Sequence, residues 1–435
     1  MNVIVIGGGI GGLCVAQGLR QAGVDVEVYE RDVGPGSRWE GYRIHVNPAG
    51  ARSLKACLPA PLWEAFLATS GRCGDFGYLT ERLEELVVVE ESIEYPQGAA
   101  DPAEDHYAVD RATLRRLLLA GLDDAVHFGA EFVRYEHTGD GRVAAVFADG
   151  HRAVGDILVG ADGASSRVRG QYLPHAATLP AGVGGVAHKL FLTEETRSWV
   201  PRRLQTGMNL VTTDVPVSLF TSVFEPPPGG WAALERVAGT APQAAEAPYI
   251  LCALNADPAF LPDDLDNLGD EALRHFVDGL VAGWHPDLRR LLAESDPASR
   301  RPVEFTVSPE IAPWPSTNVT LLGDAIHTMP ATGGMGGNTA LRDARLLTRT
   351  LTAVSHGERE LLDSVREYED EMRRYGYGAI RGALAVRDQM LAGGPIRTFA
   401  ARTFFRMCRA LPALRRHAFG RKDAAARPRP WELAA

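Results

Sequence analysis

The chain has 435 residues, 45 basic against 55 acidic side chains, a net charge of −10 and 45% hydrophobic residues, which suits a soluble globular protein of two or three domains. No run approaches the roughly 20 consecutive apolar residues of a membrane-spanning helix, and scattered basic residues exclude a nucleic-acid surface of the usual clustered kind. Five widely spaced cysteines without a C-x-x-C exclude a zinc ribbon or a redox-active pair and fit a reducing compartment.

The first predicted strand begins at once, without a basic leader or cleavage site, so the cytoplasm is the expected address. Residues 3–6 form a β-branched run that predicts a buried strand, and Leu13, Ala16 and Leu19, with Ala22 closing the pattern, recur at helical spacing. Between them five glycines fill six positions, 7 to 12. Glycine loses more backbone entropy on folding than any other residue, so the cluster implies that something comes very near the backbone. Gly7, Gly9 and Gly12 match G-x-G-x-x-G: the first allows a tight turn, the second admits a pyrophosphate, and the third lets helix and strand pack closely. The helix N-terminus then offers free N–H groups to the phosphates. Val24, Val26 and Val28 alternate into a second strand ending on Glu30, whose carboxylate suits the hydroxyls of an adenosine ribose. Strand, turn, helix, strand and acid in that order predict a dinucleotide site.

Residues 126–163 read as a β-meander through EFVRYEH, VAAVF and DILVGADG, with glycine turns between them. Extended stretches such as HKLFLTE, VSLFTSVFE and YILCALN between 184 and 255 predict a second sheet, with EPPPGG at 225–230 as a loop. Beyond 339 the chain reads as largely helical. It carries a basic run, RMCRALPALRRHAFGRK, whose interleaved Leu, Ala and Phe predict a helix with one solvated face, and a frayed tail, AAARPRPWELAA. Two segments share one design. DILVGADGASSRVR (156–169) sets Asp162 and Gly163 after an apolar strand; NVTLLGDAIHTMPATGGMGGNTALRDARLL (318–347) sets Asp324 after another and runs through Pro330 into glycines and a helix expected near Thr339. The opening unit and these motifs must meet at one cofactor, so the nucleotide domain is predicted to be discontinuous.

Together these motifs resemble the three flavin motifs of the class A flavoprotein monooxygenases, the group around para-hydroxybenzoate hydroxylase, over nearly the whole chain. The resemblance implies an α/β fold: a Rossmann-type FAD-binding domain of the glutathione-reductase and para-hydroxybenzoate-hydroxylase type, an inserted β-sheet substrate domain and a helical C-terminus. Residues 1–75, 106–178 and 302–355 would bind FAD, 76–105 and 179–301 would bind substrate, and 356–435 would be helical. The cofactor contacts it implies fall on Gly7, Gly9, Gly12, Glu30 and Arg31. Asp324 suits the ribityl hydroxyls, and Gly333, Gly334, Gly336, Gly337 and Asn338 carry the family's G-G-x-G-x-N, where bulky side chains would collide with the flavin ring. The next helix would aim its positive end at the pyrimidine edge. Arg111 in YAVDRATLRRLL falls where the family keeps an arginine beside the flavin chain and pyrophosphate. Asp162 with Gly163 would help flavin and nicotinamide bind. Arg43 in WEGYRIHVNPAG, with Arg38 as a second candidate, falls where relatives touch the mobile flavin or the nicotinamide.

The activity so implied is a cycle in which NAD(P)H reduces bound FAD, reduced flavin captures O2 as a C4a-hydroperoxide, and one oxygen passes to an electron-rich substrate. No second G-x-G-x-x-G opens a nicotinamide domain, so NAD(P)H is expected as a transient co-substrate; no W-x-W-x-I-P marks a halogenase. Neither a nucleophile–base pair nor a metal site is needed, and His45, His188, His285 and His327 read as structural. The substrate pocket is expected from residues 185–260 and near Tyr78. Phe191, Met208, Phe220 and Phe224 there suggest a small apolar molecule, aromatic or polyketide-like. The expected partners are that substrate and O2, with no nucleic acid and no membrane span. A redox-neutral flavoprotein of the same fold, a cyclase or rearrangement enzyme, would show the same motifs.

Overall fold

The computed structural model describes residues 1–37, 41–94, 101–239 and 247–420; Arg38 and the tail from 421 lie outside the described residues. Two sheets organise the chain. The first has five strands in the order Val319–Leu321, Ile157–Gly160, Asn2–Ile6, Asp25–Glu30, Val126–Phe128. Every pairing is parallel. Their side chains, such as Val3, Val5, Ile157, Val159 and Val319, are buried, as expected of strands covered on both faces. The helices Ile10–Gln21 and Gly336–Ser355 pack together over this sheet. Because the strands run parallel, Ile6, Gly160, Leu321 and Glu30 all finish at one edge, which is where open α/β sheets bind ligands.

The meander is corrected in one respect. Its antiparallel strands are Phe132–His137, Val143–Phe147 and Arg152–Gly155, whereas Ile157–Gly160 leaves them to pair parallel with the opening strand. Its four residues are all buried, which suits the centre of a parallel sheet rather than a half-exposed ribbon, and Asp156 Oδ2 accepts a 2.7 Å bond from Asn2 N at the crossing point.

The second sheet has seven strands in the order Arg301–Val307, Leu179–Phe191, Tyr249–Ala256, Val217–Phe224, Met208–Thr212, Phe76–Thr80, Glu85–Val89. Arg301–Val307 thus continues this sheet past 302, where the nucleotide domain was expected to resume, because its backbone pairs with the long strand Leu179–Phe191. One face, with Val211, Leu219, Ile250, Cys252 and Leu254, is sealed by the helices Asp270–Leu280 and Pro286–Ala293. The opposite face carries Phe76, Tyr78, Met208, Leu210, Phe220, Phe224, Tyr249 and Phe191, matched by register. It meets a two-stranded ribbon, Arg43–Val46 with Tyr107–Asp110. The described chain after 336 is largely helical, as expected: Gly336–Ser355, Leu361–Met390, Pro395–Ala410 and Pro412–Phe419.

Candidate functional site

The glycine turn leaves the first sheet at its ligand edge. Gly7 has φ +111°, and a Cβ there would lie 2.4 Å from Ala161 O; one on Gly12 would lie 2.1 Å from Gly7 O. Only glycine fits either place. Gly9 differs: nothing lies within 4 Å of its would-be Cβ. It precedes the helix Ile10–Gln21, which has no side-chain cap and no acid in its first turn. Its first turn thus has no side-chain cap to take its N–H groups, and its positive dipole end lies beside the open space at Gly9, the arrangement that accepts a phosphate. Glu30 lies behind the turn, buried, its Oε2 taking Gly8 N at 2.7 Å and its Oε1 taking Asp32 N at 2.9 Å. Arg31 beside it is exposed.

Arg111 begins the helix Arg111–Leu119, which Asp110 caps by accepting Ala112 N at 3.0 Å and Thr113 N at 3.3 Å. One turn on, Arg115 is buried; its Nε donates to Gly8 O at 2.9 Å and its Nη2 lies 3.7 Å from Asp32 Oδ2. This arginine braces the turn from beneath and was missed by sequence reading. Its only signal is a position four residues after Arg111, on the same helix face.

Asp324 opens the short helix Asp324–His327. Its side chain is accessible, yet protein surrounds it closely enough that desolvation raises its carboxyl above the ordinary range, while the charges of His327 and Arg111 pull it back down. Access together with desolvation places it on the floor of a recess rather than on a convex surface. A Cβ on Gly336 would lie 3.8 Å from Asp324 Oδ1. The helix expected to begin near Thr339 begins three residues earlier, at Gly336, again without a side-chain cap or an acid in its first turn. A Cβ on Gly334 (φ +65°) would lie 3.6 Å from His45 Cβ, and one on Gly337 would lie 3.9 Å from Ile44 Cδ1.

The Asn338 side chain holds this loop to the ribbon. Its Nδ2 donates to His45 O at 2.7 Å and Gly334 O at 2.9 Å, and its Oδ1 accepts Asn47 N at 2.9 Å. Asp162 is likewise engaged locally: Oδ1 accepts Ser166 Oγ at 2.5 Å, and Oδ2 accepts Arg167 N at 2.7 Å and Val168 N at 3.2 Å. Arg43 is buried against the second sheet, with Nη1 3.4 Å from Met208 Sδ. There Asp110 Oδ2 accepts Tyr249 Oη at 2.7 Å and Lys189 Nζ at 3.4 Å.

Of these four histidines, His188 is buried, and desolvation, helped by the charge of Arg300, lowers its pKa to about 3; His285 Nδ1 accepts Asp287 N at 3.2 Å as a helix cap. His45 Nε2 lies 2.9 Å from His106 Nδ1. His327 lies behind Asp324 with Nε2 2.6 Å from Asp343 Oδ2, which also accepts Gly323 N at 2.7 Å; Asp343 Oδ1 accepts Tyr375 Oη at 2.5 Å. All three side chains are buried. Asp343 and Tyr375, unnoticed in the sequence, thus fix the peptide that presents Asp324. The signal was a carboxylate among Leu341, Ala344 and Leu347 on an apolar helix face.

An uncapped, glycine-lined helix N-terminus with open space beside Gly9, a second near Asp324, and a carboxylate between them fit a dinucleotide with a polyol chain. The sequence comparisons agree. Residues 5–68 match the model of the NAD(P)-binding Rossmann-like domain and 289–383 that of the FAD binding domain. A solved chain from Photorhabdus luminescens subsp. laumondii, assigned to the FAD-containing monooxygenases, is 34% identical with a TM-score of 0.78, over 90% of this chain and 99% of that one. The dual O-methyltransferase/FAD-dependent monooxygenase elcB of Phaeosphaeria nodorum is 29% identical over 87% of this chain. This chain spans 45% of elcB, about half the length of the curated relatives it matches first. The FAD-dependent urate hydroxylase of Klebsiella pneumoniae is 29% identical over 85% of each. With FAD as its cofactor, the chain belongs to the FAD-dependent monooxygenases.

Proposed function

We propose that this chain uses NAD(P)H and O2 to place one oxygen atom, by hydroxylation or epoxidation, on an apolar substrate that is aromatic or polyketide-like. The observation that carries the reading is the meeting, at one sheet edge, of the open Gly9 turn, Asp324 and the uncapped helix at Gly336. The first-turn amides at residues 10–12 hold the pyrophosphate, Glu30 the adenosine ribose, and Asp324 the ribityl hydroxyls. The helix at Gly336 turns its positive end to the pyrimidine edge. Arg111 shares the recess with Asp324; Arg31 and Arg43 serve the cofactor or the nicotinamide at its border; Asp162 shapes the neighbouring turn. FAD supplies the reduction by NAD(P)H, the activation of O2 and the transfer of one oxygen atom. The protein's part is to hold the substrate against the aromatic face of the second sheet and to exclude water. Phe76, Tyr78 and Phe220 are only partly buried there, which favours an apolar ligand. The urate hydroxylase among the relatives lends support to hydroxylation of a ring system.

The test is turnover of candidate aromatic and polyketide substrates under labelled O2, beside an anaerobic control without NAD(P)H. One labelled atom in the product is expected. Product in the control, with the substrate's own elemental composition, would replace this reading by a redox-neutral one.

A further inference from the structure

The helix Pro395–Ala410 is turned the opposite way from an ordinary surface helix. Its inner side carries Arg402, Phe405 and Arg406. Phe405 stacks on Tyr78 with ring centroids 4.4 Å apart. Arg402 Nη2 lies 2.5 Å from Glu81 Oε2 and donates to Thr212 O at 3.0 Å. Arg406 makes two 2.8 Å bonds to Glu84, and Arg415, just beyond the helix, pairs with Glu90 at 2.7 Å. The outer side carries Ile396, Phe399, Phe404, Met407 and, at its end, Leu411, which are 85, 69, 42, 48 and 53% exposed. At about 100° per residue the first four fall within an arc of roughly 140°, and Leu411 follows at the helix end. The solvated basic face expected from the sequence is therefore turned about: Arg402, Arg406 and Arg415 face the protein's own carboxylates, and the large apolar side chains face outward. Single apolar residues on a surface need no account, but five large ones along one helix do.

Charge indicates what covers them. From 389 to 422 the sequence has no Asp or Glu. Arg397, next to Ile396, and Arg416, on the following helix, are exposed and make no ion pair among the described residues. A second copy docked about a two-fold axis would set this patch against itself, guanidinium toward guanidinium with no carboxylate in the run to answer it. An anionic lipid surface satisfies both features, since acyl chains receive the stripe and headgroups receive the arginines. We propose that the outer face of residues 395–411 docks the protein peripherally on an anionic lipid surface, lying in the interface without crossing it. Its inner face touches Tyr78, on the aromatic face of the second sheet. Docking would therefore bring an apolar solute dissolved in lipid close to that face, though the docking itself does not depend on the flavin chemistry.

Full-length, FAD-loaded protein is to be sedimented with vesicles of phosphatidylcholine alone and of phosphatidylcholine mixed with phosphatidylglycerol. Binding to the mixed vesicles is expected, weakening as salt rises. The double change Ile396→Glu with Phe399→Glu is expected to weaken it roughly tenfold or more at unchanged flavin content and melting temperature. Arg397→Gln with Arg416→Gln should weaken it several-fold on mixed vesicles only. Absence of binding to either vesicle would overturn the proposal. So would a wild-type dimer in sedimentation that the glutamate pair dissociates while vesicles capture nothing, since the stripe would then belong to a second copy.

Discussion

Asp162 and Asp324 look interchangeable in the sequence, each placed just after an apolar strand beside a glycine, and the parallel sheet sets both strands side by side at one edge. Their surroundings separate them. Asp162 is closed in by the Ser166 hydroxyl and two backbone amides. These pull its carboxyl down against the desolvation that raises it. Among the described residues Asp324 meets only charges at a distance, from His327, Arg111 and Asp343, and its carboxylate faces the recess. The two acids part ways in the chain just downstream of each. After Asp162 the helix Arg167–Tyr172 begins within reach and its first amides consume the carboxylate's lone pairs; Asp324 is itself the first residue of its short helix, whose His327 is held back by Asp343. A carboxylate left without local donors is the one positioned to serve a ligand.

The sharpest way to break this comparison is to remove the support beneath Asp324. Asp343→Ala strands buried His327 and releases Gly323 N, and should cost about 3–5 kcal/mol of stability, read by denaturant unfolding with FAD titrated alongside. The opposite end of the same strand offers a second test. Buried Glu369 accepts Thr320 Oγ1 at 2.9 Å and Ser316 Oγ at 2.6 Å, and desolvation raises its pKa to about 7 from 4.5. The folded state therefore binds this proton more tightly than the unfolded state. Stability from this group is complete below the unfolded pKa of 4.5 and falls as pH rises toward 7, by at most about 3 kcal/mol. Glu369→Gln should flatten that slope; an unchanged pH profile would show the group to be better solvated than its burial implies.

Asp324→Ala should weaken FAD binding by about 1.5–3 kcal/mol, the scale of hydrogen bonds to a charged group, with little loss of apoprotein stability because a desolvated carboxylate is removed. Asp162→Ala should do the reverse, costing about 1 kcal/mol of fold stability through the lost bonds from Ser166 Oγ, Arg167 N and Val168 N, with a smaller effect on FAD. Equal effects of the two changes on flavin affinity would erase the distinction.

How legible each feature was in the sequence depends on the range of the interactions that form it. The turn at Gly7–Gly12 was legible because its geometry is set by neighbours in the chain and by one strand on either side. The strand Ile157–Gly160 was assigned to the meander because its true partner, Asn2–Ile6, lies some 150 residues away, and strand 301–307 was misplaced for the same reason. The helix start at Gly336 was read late because glycine disfavours helix interiors, yet the first turn tolerates it. The side chains of Asn338 and Asp162 are occupied by neighbouring groups, backbone ones for the most part, that no motif reveals. Arg115, Asp343 and Tyr375 became visible only through packing between elements.

Whether the glycine turn is the phosphate site is decided most directly by the flavin content of Gly9→Val. The space beside Gly9 is open, so the valine should fold into it without a clash and occupy the place of the pyrophosphate. The expected variant has wild-type circular dichroism, purifies colourless and fails to quench the fluorescence of added FAD. Wild-type flavin content in that variant would contradict a cofactor held at this turn.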